Sequence, residues 1–310
     1  MNKTLLAYLL IVGISGTAGA GTGVVLKRTL GPVDEVYPPG FNPDEYKADV
    51  DSLYDEYLTN KSSFINSAKN PALVNVALEK YRRSDNCWSF GVGNADAGIT
   101  VQTVRSAQVK RTTLELVDDK QVTKVEYFEE QISNGLIGVA KRSYQHGKDG
   151  PIDVYNGDAT GAETANYSSS PSSMSVSAYK DYLGKSLDEM FIYIISDMTT
   201  ISSSKKSLGG GDLEINLSLN VSLATYYYKI QMKAISGLSN LPPFTNVNLT
   251  YTLSKDLDLK TLAVDETYTA TKEGIPVPAK THNIIKYYYY PGAELDIPDI
   301  DTDFRYAEKE

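Results

Sequence analysis

Cysteine and histidine are almost missing from this 310-residue chain: Cys87 stands alone, and His146 and His282 are the two histidines. One cysteine excludes an intrachain disulfide. So few soft ligands leave no basis for a zinc centre, and any nucleophile would have to draw its base from two histidines. His146 sits in the turn-like run Gln145-His146-Gly147-Lys148-Asp149-Gly150, His282 precedes a tyrosine-rich stretch, and no G-x-S-x-G elbow occurs. Cys87 is therefore expected as a small buried hydrophobe beside Trp88. Basic residues are also scarce relative to acidic ones, 30 against 39, for a net charge of −9. Phosphate backbones and anionic lipid surfaces select basic faces, which argues against nucleic acid as a partner and against broad contact with an anionic bilayer. The glycine clusters Gly91-Val92-Gly93 and Gly209-Gly210-Gly211 lack the Lys-Ser/Thr of a phosphate loop and do not fit G-x-G-x-x-G, so they read as turns and no cofactor is expected. The pairs Asp118-Asp119 and Glu129-Glu130 read as surface charge, and the acidic run from Asp296 to Asp303 lacks calcium-loop spacing.

What is present begins with a membrane address. Residues 4–26 carry no charge and are flanked by Lys3 and by Lys27-Arg28. At ~1.5 Å per residue such a stretch can cross a ~30 Å hydrocarbon core. Its Gly/Ala-rich second half, with Ala18-Gly19-Ala20, equally fits a secretory signal. The expected organisation is a signal anchor or signal peptide over 1–28, a Pro/Gly linker over 29–43, a folded domain over 44–290 and an acidic tail over 291–310. The domain is expected outside the cytoplasm, single-pass at the cell membrane or secreted if the segment is cleaved.

Tyrosine dominates the aromatics, 23 against 7 Phe and 1 Trp, and suits half-buried sheet positions because the ring packs while the hydroxyl keeps a polar partner. Apolar spacing of 3.6 predicts helices over 44–58, from Pro71 onward, over 179–198 with a break at Gly184, and over 220–236. Between them the period falls to 2. Strands are expected over 87–92, 99–105, 109–117, 122–130 and 136–144, then over 213–219, 247–253, 262–268 and 283–290. The Gly/Ala/Ser/Thr-rich stretch 157–175 reads as a mobile loop. The fold class is α+β: a curved antiparallel sheet with helices on its concave face, preceded by one hydrophobic helix.

The order of helices, meander, loop, helices and final meander, with the hairpin from Asn248 through Lys260 into residues 261–268, resembles the LolA/LolB/LppX-like half-barrel superfamily. It also looks like envelope proteins of low-GC Gram-positive bacteria. The resemblance implies a concave sheet whose helices enclose an apolar, lipid-binding cavity. The lipoprotein cysteine of many members has no counterpart here. The expected function is a non-enzymatic, membrane-tethered binding module that holds or senses a lipid-like apolar ligand. Its candidate lining residues are Trp88, Phe90, Tyr127, Phe191, Ile195, Tyr228, Met232 and Tyr251, with the ligand placed between the sheet and residues 179–198. The alternatives are a structural or interaction protein of the envelope with a filled core, and a hydrolase with an unrecognised site.

Overall fold

The computed structural model describes residues 37–97, 101–118, 120–135, 138–189 and 192–289. The expected N-terminal segment, most of the linker, Phe191 and the acidic tail lie outside these residues. Among the described residues no helix is long and apolar enough to cross a membrane.

The chain opens with α1 (Val50–Thr59), α2 (Lys61–Ser67) and α3 (Asn70–Arg83). Asp49 starts α1 by accepting from the Ser52 amide at 3.1 Å, and Asn60 does the same for α2 through Ser63. Pro71 in the first turn sets the start of α3. The helix expected over 44–58 begins only at Val50, after a short 3-10 turn (Pro43–Tyr46), and α2, which was not expected, follows because Asn60 both ends one helix and caps the next.

Two antiparallel meanders follow. The first is β1 (Cys87–Asp96), β2 (Val101–Val117), β3 (Lys120–Asn134), β4 (Val139–His146), β5 (Ile152–Ala159), β6 (Ala165–Tyr167) and β7 (Ser172–Met174). After α4 (Val176–Leu183), the second contains β8 (Thr200–Ser207), β9 (Leu213–Leu219), α5 (Val221–Ala224), α6 (Tyr226–Ser236), β10 (Phe244–Leu253), β11 (Leu259–Lys272) and β12 (Ile275–Tyr289). They join through β1 and β12 into one curved, unclosed antiparallel sheet of order β6-β5-β4-β3-β2-β1-β12-β11-β10-β9-β8, with β7 beside β5. The α+β half-barrel expected from the period changes is the fold observed.

Alternation along the strands separates two faces. Cys87, Ser89, Gly91 and Gly93 pair across β1 and β12 with Tyr289, Tyr287, Ile285 and Asn283, and this register faces the helices. There α3 drives Leu73, Val74, Ala77 and Tyr81 against Leu217, Leu249, Tyr251 and Leu262, all fully buried or nearly so. Further along the same face α4 and α6 cover Tyr127, Ile152 and Val154. Trp88, Val109 and Phe128 belong to the opposite register and form a separate small cluster with Phe90, Tyr144 and Tyr288. Cys87 is buried as expected, but Trp88 points the other way. The Cys87 thiol lies 3.7 Å from the Tyr81 carbonyl, and burial pushes its pKa up to about 11.

The short helix and the break expected at Gly184 are observed, as α4 ending at Leu183, but the longer helix expected after it is not found among the described residues. Gly184 closes α4 in the left-handed region (φ 74°), and a Cβ there would lie 2.6 Å from the Tyr227 carbonyl oxygen. The described residues after it run as turns. Their backbone groups bond outward: Ile194 N–H donates to the Ala224 carbonyl, the Asn75 amide donates to the Ile195 carbonyl, and the Thr199 hydroxyl donates to the Ile194 carbonyl. Gly184→Ala combines an unfavourable φ with a backbone collision. It is expected to lower stability by on the order of 1–3 kcal/mol in a urea titration.

Candidate functional site

Beneath α6 the helix-bearing face does not fill. A cavity of about 460 Å³ lies between Tyr228, Gln231, Met232 and Ile235 of that helix and Val104, Gln131, Ala279, Thr281 and Asn283 of β2, β3 and β12. Its outer end reaches Ala97, Gly138 and Glu273, at the turns after β1, β3 and β11. An inner cavity of about 140 Å³ continues along the same face and shares Val104, Gln131, Tyr228, Gln231 and Asn283 with the first. The sequence builds this space from small residues at alternate β1 positions. At Gly93 the Asn283 side chain lies across the backbone, in the volume that a Cβ would take.

The inner cavity carries a charged pair. Lys185, nearly fully buried, places its ammonium 2.6 Å from Glu129 and donates to the Glu189 carbonyl at 3.2 Å. Gln108 and Gln131 donate to the same Glu129 carboxylate at 3.1 and 3.0 Å. The pair Glu129-Glu130, read from sequence as surface charge, is thus buried mid-sheet. Glu129 faces the helices, and Glu130 faces the other way onto Arg142 at 2.6 Å. Strand alternation splits the two carboxylates to opposite faces, so they cannot act on one substrate.

Glu266 on β11 sits behind the cavity wall. Its Oε2 accepts from the Tyr228 hydroxyl at 3.4 Å, its Oε1 has no partner, and burial pushes its carboxyl pKa up to about 8. Burial also raises the Tyr228 hydroxyl, and it pushes Tyr268 up to about 12. His282 lies on the opposite face, exposed, with Nδ1 2.7 Å from Asp265. Among the described residues no group of three or more His, Cys, Asp or Glu could hold a metal ion.

No family model matches this chain, and no curated protein matches it significantly. A crystal structure of a DUF1329 family protein from Desulfovibrio piger aligns over 78% of this chain and 98% of that one. Identity is 10% and the TM-score 0.28, too slight a likeness to argue from.

Of the eight candidate lining residues, Tyr228 and Met232 border the cavity. Trp88 and Phe90 are on the far face, where Trp88 stacks on Tyr288 at 4.3 Å and the Arg105 guanidinium lies 5.0 Å from the Phe90 ring. Tyr127 packs under α4, Tyr251 is filled core, and Ile195, though buried, edges a separate cavity of about 230 Å³ with Asn75, Leu78 and Tyr193. Phe191 lies outside the described residues. The outer cavity therefore sits under α6, whereas the inner one is lined in part by Lys185, Ile192 and Tyr193 of the expected 179–198 stretch. Sequence reading missed Gln131, Gln231, Thr281 and Asn283, which are polar and so did not register as apolar lining. The signal for them was Gly91 and Gly93, alternate glycines in a strand that mark a close approach rather than a turn.

Proposed function

We propose that this protein is a non-enzymatic binding module that holds a lipid-like apolar ligand between α6 and the sheet. The observation that carries the reading is the cavity of about 460 Å³ walled by Val104, Met232, Ile235 and Ala279, a volume in the ~300–1,000 Å³ range of small-molecule sites. In this reading residues 1–28 tether the domain to the membrane or export it, and the domain works on the outer side. Val104→Trp fills space common to both cavities, so it meets few of the packing conflicts of a filled core. It is expected to abolish ligand uptake, measured by solvent extraction and mass spectrometry of the purified protein, with little change in melting temperature.

A second reading, an interaction protein of the envelope, draws on one observation. β2 pairs with β1 only as far as Lys110 and β3 pairs with β4 only from Glu126, so the β2–β3 hairpin projects beyond its neighbours. That ribbon presents Leu114 and Leu116, 65% and 77% exposed. Protein that releases no lipid, and in which Val104→Trp destabilises the fold, moves the assignment to this reading.

A further inference from the structure

We infer that the ligand is an uncharged, single-chain amphiphile whose hydroxyl- or amide-bearing head is hydrogen-bonded by Asn283 at the junction of the two cavities. This rests on the binding reading above and adds its chemical class. Charge is the first argument. Among the described residues the outer cavity wall has no lysine or arginine, and its one charged residue, Glu273, stands at the mouth. In the inner cavity the charges are Glu129 and Lys185, which face each other at 2.6 Å and are further occupied by Gln108, Gln131 and the Glu189 carbonyl. A phosphate or carboxylate head would be desolvated here without a counter-charge, and an ammonium head would fare no better.

Hydrogen bonding is the second argument. The Asn283 Oδ1 has no partner and is turned onto the Gly93 backbone, out of reach of a water-sized group, while the residue lines both cavities. An unpartnered carboxamide oxygen calls for a donor, and a half-turn of the carboxamide would present it to the cavities. A hydroxyl or amide N–H supplies that donor. Volume is the third argument. At ~30 Å³ for a water-sized group, an outer cavity of about 460 Å³ holds about fifteen such groups, which is one alkyl chain rather than two.

The test uses delipidated full-length protein titrated with monopalmitoylglycerol, palmitate and methyl palmitate, each below its aggregation limit. Monopalmitoylglycerol is expected to bind about tenfold tighter than either of the others. Asn283→Leu is expected to cancel that preference while methyl palmitate still binds, and Asn283→Ser, which withdraws the carboxamide, to act likewise. Equal binding of the three probes, or palmitate binding tightest, overturns the head-group inference and leaves the binding module standing. Binding of none of them overturns both. The wild-type ranking decides if the Asn283 variants do not fold.

Discussion

Unfolding by urea is expected to require less free energy at about pH 9 than at about pH 5, by on the order of 4 kcal/mol, and Glu266→Gln is expected to remove most of that difference. The cause is a carboxyl held neutral in the folded chain. Its pKa is about 8 there against 4.5 for a free glutamate, and burial is the reason. Between these two values the unfolded chain has lost the proton and the folded chain keeps it. The stabilisation is therefore complete below about pH 4.5 and is lost as pH rises through about 8. The groups packed against Glu266 are the Tyr228 hydroxyl of α6, its β12 neighbour Thr281, its β10 neighbour Val247 and the wall residue Tyr268. None of these is a cation that would favour the ionised form. Glu126 gives the opposite slope in a separate window. Burial would raise its carboxyl, but Arg111 and Tyr144 outweigh that and hold it down at about 2, so its stabilisation is lost only as pH falls below about 4.5. An alkaline loss that persists unchanged in Glu266→Gln would show that another group is responsible.

Lys185→Ala is expected to cost roughly 3–5 kcal/mol, because it leaves the Glu129 carboxylate buried without its counter-charge. The companion test is Glu129→Gln/Lys185→Met, which replaces both charges together. It is expected to recover most of that loss, since a buried ion pair contributes little net stability over a well-packed neutral pair. Denaturant midpoints of the single and double variants measure the coupling directly. Equal losses in Lys185→Ala and in the double variant would mean that Lys185 acts through packing of its aliphatic stem rather than through Glu129.

Strands whose two faces differ in polarity were readable from sequence, and β9, β10 and β11 appear where alternation placed them. β2 joins two predicted strands into one, because Ser106, Ala107 and Gln108 continue the ladder without an apolar signal. β8 was invisible for the same reason. Its sequence, Thr-Ile-Ser-Ser-Ser-Lys-Lys-Ser, is an exposed edge with nothing to bury on either face. Part of the stretch 157–175, read as a loop, is paired as β6 and β7 against β5. The helix expected through residue 198 failed because Ile194 and Ile195 pack inward from an irregular segment whose backbone bonds are supplied by distant residues, which periodicity cannot show. The cavity was legible only as an apolar expectation. Its position follows from which register faces α6, and that depends on the β1–β12 pairing across nearly two hundred residues.

That pairing also sets the order in which the chain can fold. β12 is the last described strand, yet it sits mid-sheet, bonded to β1 on one side and β11 on the other. Until residues 275–289 emerge during synthesis, the two meanders have no shared strand and each presents an open edge. Completion therefore waits on closing the largest loop in the molecule, which makes folding slow and its intermediates adhesive.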